Sequence, residues 1–156
     1  MALEIRPAAA AEQRQIEEMV LESFAPITWF RRVDERFGPL NGRDWRTRWL
    51  ARLGNIFETQ TVLVGTNAGE IAAMSSGTLD RDNALAYIDL IAVDGRFRRR
   101  GYGREMLRGM MGHMKEQGAR YVHLDCLSDN DTANALYRAE GFEEMARHIR
   151  WFRKIG

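Results

Sequence analysis

Lysine and cysteine are nearly absent from this 156-residue sequence, proline occurs only three times, and neither sign of charge prevails. The lone cysteine, Cys126, cannot form a bridge within the chain, which fits a reducing, cytoplasmic setting. No apolar run approaches the ~20 residues needed to cross a bilayer, and the opening MALEIRPAAA has no basic stretch followed by an apolar one. Neither a membrane partner nor export is therefore expected. The three histidines, His113, His123 and His148, lack metal-ligand spacing such as H-x-x-x-H, so no metal is expected. With 23 basic and 22 acidic residues the formal net charge is +1, and nothing global points to nucleic acid.

The chain contains 45% hydrophobic residues at a length that suits one domain with one sizeable core. Its basic residues are 21 arginines against Lys115 and Lys154. Six of the arginines (Arg96, Arg98, Arg99, Arg100, Arg104, Arg108) fall between 96 and 108, where Glu105 is the only acid.

Helical spacing predicts helices over about 9–24 and over a segment holding Trp45, Trp49, Leu50, Leu53, Ile56 and Phe57 on one face, with Asn41 and Asp44 as N-cap and first-turn acid. Strands are predicted over 61–66, 71–79 and 84–93, a helix over 104–117, a strand over 121–127 and a helix over about 131–140. Weak strands follow near 142–145 and 147–154. The fold class is α+β, a single domain over 1–156 with a mixed, mostly antiparallel twisted sheet.

Between strand 84–93 and helix 104–117, two glycines immediately precede the helix. A helix N-terminus has unpaired N–H groups and the positive end of the dipole, and glycine lets an anion approach without meeting a Cβ. A Walker loop is excluded because Arg104 and Glu105 follow Gly103 where lysine and a hydroxyl are needed. A dinucleotide fingerprint fails because Met106 stands at the third glycine, and Gly101 comes eight positions after Val93.

What remains is R-x-x-G-x-G, filled by Arg98, Gly101 and Gly103, followed by Asn130-x-x-x-Asn134-x-x-Tyr137-x-x-x-Gly141-Phe142. With Ile91-Ala92-Val93 ahead of the loop and Ile5-Arg6-Pro7-Ala8 at the start, the sequence resembles the GCN5-related N-acetyltransferases over most of its length. The resemblance implies a sheet of about six to seven strands flanked by about four helices and splayed between strands 84–93 and 121–127, with an opening near Leu90–Ala92. It implies acetyl-CoA as donor substrate, bound by Ile91 and Val93 through backbone and by Arg98, Arg99, Gly101, Tyr102, Gly103, Arg104, Asn130 and Asn134. Tyr137 matches the family's general acid, although an amphipathic packing role stays open.

Asp89, isolated among apolar neighbours on 84–93, is the candidate base, with a structural carboxylate as the alternative and Glu58, Glu70 and His123 as further candidates. Strand alternation separates Cys126 from His123 and Asp125, so these do not form a nucleophilic set. The acceptor is a small-molecule amine or a peptide, a homodimer is left open, and a non-catalytic acyl-CoA sensor is the competing reading. Arginines in 25–58 would favour an acceptor bearing carboxylate or phosphate if their side chains are free.

Overall fold

The computed structural model describes residues 2–156. A short strand β1 (Glu4–Pro7) leads through one 3₁₀ turn into α1 (Gln13–Phe24), α2 (Trp29–Phe37) and α3 (Trp45–Thr59). Three strands follow, β2 (Thr61–Asn67), β3 (Glu70–Asp80) and β4 (Leu85–Val93). Helix α4 (Tyr102–Glu116), strand β5 (Tyr121–His123) and helix α5 (Asp131–Ala139) complete the order. The sheet runs β1-β2-β3-β4-β5, antiparallel except for the parallel β4/β5 pair.

The helices cover both faces, and each face has its own apolar cluster. Ile16 and Val20 of α1 and Leu53 and Ile56 of α3 bury against Val64, Met74 and Leu90. On the other face Met106, Leu107, Met110 and Met114 of α4 meet Leu63, Ala86 and Ile88. The α4 methionines are thus core, each burial stabilising by ~1.5–3 kcal/mol. Gly109 lets α4 lie directly on β1, because a Cβ there would come within 2.5 Å of Ile5 Cδ1.

Two expectations need correction. Among the described residues the sheet has five strands and there are five α-helices, where six to seven and about four were expected. The missing strands are those near 142–145 and 147–154: Phe142 N closes the end of α5 on Tyr137 O at 3.0 Å, and from Glu143 on no backbone group pairs with another among the described residues; without a ladder, alternation alone makes no strand. The additional helix is α2. Its apolar positions Trp29, Phe30, Val33 and Phe37 are interleaved with charges that mask the helical period. Thr28 starts it by accepting from Phe30 N at 3.2 Å and from Trp49 Nε1 at 2.8 Å.

Candidate functional site

The site begins with a β-bulge. Ser76 pairs with Leu90 and Gly77 with Ile88, leaving Asp89 as an extra residue on β4. Gly77 permits it, since a Cβ there would lie 2.7 Å from the Tyr87 carbonyl oxygen. The bulge also switches faces: Ala86 and Ile88 belong to the α4-side core, Leu90 and Ala92 to the α1/α3-side core. Strand β5 keeps parallel register with β4 only over Leu85–Tyr87, so the two chains part from Ile88 onward. The opening therefore starts two residues earlier than Leu90.

Past that point one edge of β4 is bare. Asp94 N donates to Ala72 O at 2.8 Å, and by ladder alternation Ala92 and Leu90 also bond towards β3. The N–H and C=O groups of Ile91 and Val93 consequently face the opening.

Helix α4 starts beside this edge. Gly101 is its N-cap in the left-handed region (φ 78°), has no side-chain cap, and Glu105 N makes the first helical bond. The N–H groups of Tyr102, Gly103 and Arg104 are left for an external acceptor, at the positive end of the dipole. A Cβ on Gly101 would meet nothing within 4 Å, and one on Gly103 would only touch Leu136 and Val93 at 3.9 Å, so protein packing demands neither glycine. Upstream, Arg98 and Arg99 are exposed and make no ion pair among the described residues; Arg99 stands at φ 62°. Arg100 and Arg96 both stack on Phe97, each guanidinium 5.2 Å from the ring centre.

Other expected cofactor contacts are committed elsewhere. The Tyr102 side chain is 3% exposed and its hydroxyl accepts from Asn67 Nδ2 at 3.0 Å, so it offers a ligand only its N–H. Arg104 Nε sits 2.6 Å from Glu140 Oε1, which Arg108 Nη2 also meets at 3.0 Å, clamping α4 to α5. Asn130 caps α5 by accepting from Ala133 N, and Asn134 Nδ2 donates to Leu127 O at 3.0 Å. Both asparagines thus shape the turn from β5 into α5.

That turn carries Tyr137. Its ring packs on the α4-side core and lies 5.9 Å from Phe142 edge-on, while its hydroxyl makes no hydrogen bond among the described residues. Burial, followed by the Cys126 and Asp125 charges, pushes the phenol up to about 12, which keeps it a proton donor. Burial likewise raises the Cys126 thiol, with Asp125 and Asp129 adding to it.

Across the opening the groups differ. Asp89 is 9% exposed at its side chain; Arg52 Nη2 holds one oxygen at 2.6 Å and Gln60 Nε2 the other at 2.8 Å. Its surroundings are those of a structural carboxylate tying the bulge to α3. Glu70 lies at the β2–β3 turn, 3.7 Å from Arg96, and Glu58 is exposed on α3. His123 is exposed with its ring 4.9 Å from that of Tyr87, whose hydroxyl donates to Asp125 at 3.3 Å. Burial first, then Asp125, raises that phenol to about 12 as well. Sequence reasoning missed the Tyr87–Asp125 pair and the Arg52–Asp89–Gln60 set, because bonded partners 29 or more residues apart leave no local signal.

The bare β4 edge and uncapped α4 N-terminus fit a long ligand that ends in phosphates, as acetyl-CoA does. Among the described residues no three His, Cys, Asp or Glu side chains are grouped to hold a metal, and no helix is long and apolar enough to cross a membrane.

Comparison with known proteins agrees with this geometry. The sequence model of the Acetyltransferase (GNAT) family matches residues 18–142. The N-alpha-acetyltransferase RimI of Mycobacterium tuberculosis is 35% identical over 69 residues, 44% of this chain and 42% of the relative. The [ribosomal protein bS18]-alanine N-acetyltransferase of Escherichia coli K12 is 32% identical over 79 residues, 51% of this chain and 52% of the relative. The chain thus spans about half the length of these curated relatives, or less. Among solved structures, aminoglycoside N-acetyltransferase AAC(6')-Iy in complex with CoA superimposes with TM-score 0.69 at 16% identity, covering 98% of this chain and 95% of that one. The Escherichia coli ribosomal-protein-S18-alanine N-acetyltransferase gives 0.68 at 20%, covering 92% and 79%.

Proposed function

Because the chain belongs to the acetyltransferase (GNAT) family, we propose that it transfers the acetyl group of acetyl-CoA to a primary amine, and that the amine is the N-terminus of a peptide or protein. The observation that supports the reading is the opening itself: a bare strand edge and an uncapped helix N-terminus, with a half-buried tyrosine, Tyr137, whose hydroxyl makes no hydrogen bond among the described residues. The acceptor class draws support from the names of the curated relatives.

In this reading the backbone groups of Ile91 and Val93 pair with the donor's amide arm. The N–H groups of Gly103 and Arg104, helped by Arg98 and Arg99, hold its pyrophosphate. The amine attacks the thioester carbon from the side of Tyr87 and His123. A C–N bond forms, the C–S bond breaks, and the departing sulfur takes the Tyr137 hydroxyl proton. The amine's surplus proton leaves towards the exposed imidazole of His123, because Asp89 has both oxygens engaged. Asp89 serves by holding the bulge that opens β4, a positioning role.

The test is a thiol-release assay with acetyl-CoA. Peptides with a free N-terminus are expected to release CoA, while the same peptides with a blocked N-terminus, and aminoglycosides, release none. Acetyl-CoA that raises the melting temperature without thiol release from any amine would support a non-catalytic acyl-CoA sensor instead.

A further inference from the structure

The first turn of α4 is held in place by side chains from three other parts of the chain. The Tyr102 hydroxyl accepts from Asn67 Nδ2 at the end of β2 at 3.0 Å, Arg104 Nε meets Glu140 Oε1 of α5 at 2.6 Å, and Glu105 Oε1 accepts from Leu3 N just ahead of β1 at 2.7 Å. Gly103 alone has no side chain to tie. Two of these ties involve charged groups, and exposed charge contacts weaken with salt. The bond between Asn67 and the buried Tyr102 is neutral and unaffected by it.

Asn67 reaches Tyr102 because of a tight turn. Strands β2 and β3 are joined through Ala68 and Gly69, both left-handed at φ 50° and 83°, as a two-residue hairpin turn requires. The turn sets Asn67 opposite Glu70 at the tip. From this hairpin Glu70 meets Arg96 at 3.7 Å and Ala72 O accepts from Asp94 N at 2.8 Å, while Asn67 takes Tyr102. The loop 94–102, which carries Arg98, Arg99 and Gly101, is therefore fastened at both ends to one hairpin. Within the span Arg99 stands at φ 62°, a conformation that a non-glycine residue keeps only where its surroundings hold it.

We propose that Asn67 is a positioning residue of the donor site: by holding the Tyr102 hydroxyl it fixes the end of the loop and the first turn of α4, and so sets how strongly the chain depends on the pyrophosphate of its donor. The inference rests on the acetyl-CoA reading given above. Asn67 acts through Tyr102, whose ring packs 6.2 Å from that of Phe97 and whose N–H belongs to the helix start. N–H groups already aligned in the free protein bind a phosphate without a further ordering cost, and groups that must first be ordered bind it more weakly.

Two variants remove the bond from opposite ends. Asn67→Ala takes away the N–H donor, and Tyr102→Phe takes away the acceptor while keeping the buried ring. In hydrogen exchange on the ligand-free protein, the peptide covering 102–107 is expected to exchange faster in both, with peptides from α1 and α3 at wild-type rates. By calorimetric titration the dissociation constant for CoA is expected to rise about 3- to 10-fold, the range of one hydrogen bond. ADP, which carries a pyrophosphate and no pantetheine arm, is expected to lose affinity by the same factor. The double variant should lose no more than either single one, because both delete one contact. Wild-type exchange in both variants, an unchanged constant for CoA, a loss for CoA that ADP does not share, or additive losses in the double variant would each overturn the role of Asn67 alone. A wild-type chain that binds neither CoA nor ADP would overturn the donor reading, and the role of Asn67 with it.

Discussion

Two arginine-rich segments flank the opening, and they use the residue in opposite ways. Between 96 and 108 the loop side leaves Arg98 and Arg99 exposed without an acid, next to N–H groups that have no internal acceptor. Between 31 and 52 the helix pair α2–α3 engages most of its arginines. Arg31 meets Glu35, Arg32 meets Asp129, Arg48 meets Asp34, Arg52 meets Asp89, and Arg46 stacks on Trp45 at 4.7 Å. Both segments are rich in arginine, but in the second only Arg36, Arg43 and Arg46 lack an acid partner among the described residues. The lesson is that an arginine cluster signals an anion site where acids at contact distance are missing, and contact distance is a property of the fold. It narrows the basis for expecting an acceptor rich in carboxylate or phosphate to the few arginines, Arg36 among them, that have no acid partner among the described residues.

The largest effect belongs to the residue between the two segments. Tyr137→Phe is expected to lower kcat by roughly 10²–10⁴-fold at unchanged acetyl-CoA affinity, the usual span for a positioned acid. An unchanged kcat would leave Tyr137 as a packing residue only. The phenol's raised value also fixes a pH window. Its folded pKa of about 12 exceeds the unfolded value near 10, so burial of the neutral phenol contributes stability fully below pH 10 and loses it as pH rises through 12. In Tyr137→Phe the alkaline fall of the melting temperature over that window should be shallower than in wild type, with Tyr87 supplying the remainder.

The next effect contrasts the segments directly. Arg48 bonds Asp34 at 2.8 Å and the carbonyls of Phe30 and Arg43, with both partners of the ion pair mostly buried. Arg48→Ala is expected to cost on the order of 2–3 kcal/mol, less than the ~3–5 of a fully buried pair because some solvent reaches both side chains. That corresponds to roughly 5–10 °C in Tm, with acetyl-CoA affinity of the folded protein unchanged. Arg98→Ala should do the reverse. A Tm loss in Arg98→Ala comparable to that of Arg48→Ala would erase the distinction.

What was legible from sequence followed the same division. The loop side is local: Arg98, Gly101 and Gly103 lie within six residues, and Tyr137 follows Asn130 and Asn134 at short fixed spacing. The strand, helix and turn that place them could therefore be read in order. The acceptor side is assembled by long-range contacts, Arg52 with Asp89, Arg32 with Asp129 and Tyr87 with Asp125, none of which leaves a periodic trace. The bulge belongs to the same class. Asp89 read as a lone carboxylate among apolar residues, whereas the extra residue that frees it depends on Gly77 of the neighbouring strand. The C-terminal alternation was legible as strand, but residues 143–156 find no ladder partner among the described residues.

A smaller effect sharpens the loop side. Gly101→Val puts a β-branched residue at φ 78°, a conformation that costs on the order of 1–3 kcal/mol, although its Cβ meets no protein atom. Escape from that strain would turn the N–H groups of the first turn away from the phosphates. The dissociation constant for CoA is expected to rise about 10-fold or more by calorimetric titration, with the fold retained. Wild-type affinity would move the pyrophosphate to another part of the molecule.

The smallest effect is expected at Arg36, and it is the most direct check on the acceptor side. Unlike its neighbours, Arg36 has no acid partner among the described residues; its guanidinium lies 5.6 Å from the centre of the Phe37 ring. If the acceptor carried a carboxylate or phosphate, this would be the cation on α2 with charge to spare, and removing it would raise the acceptor KM. If the acceptor is recognised by its amine and peptide backbone, Arg36→Ala changes an exposed charge and little else. Such surface substitutions usually stay within about 0.5 kcal/mol, or roughly 2-fold in an affinity. Steady-state kinetics over acceptor concentration, at fixed saturating acetyl-CoA and at two salt concentrations, distinguishes the two. A KM that rises ten-fold and loses its salt dependence in the variant would restore the anionic acceptor and make α2, rather than the loop before α4, the second place where free arginine acts.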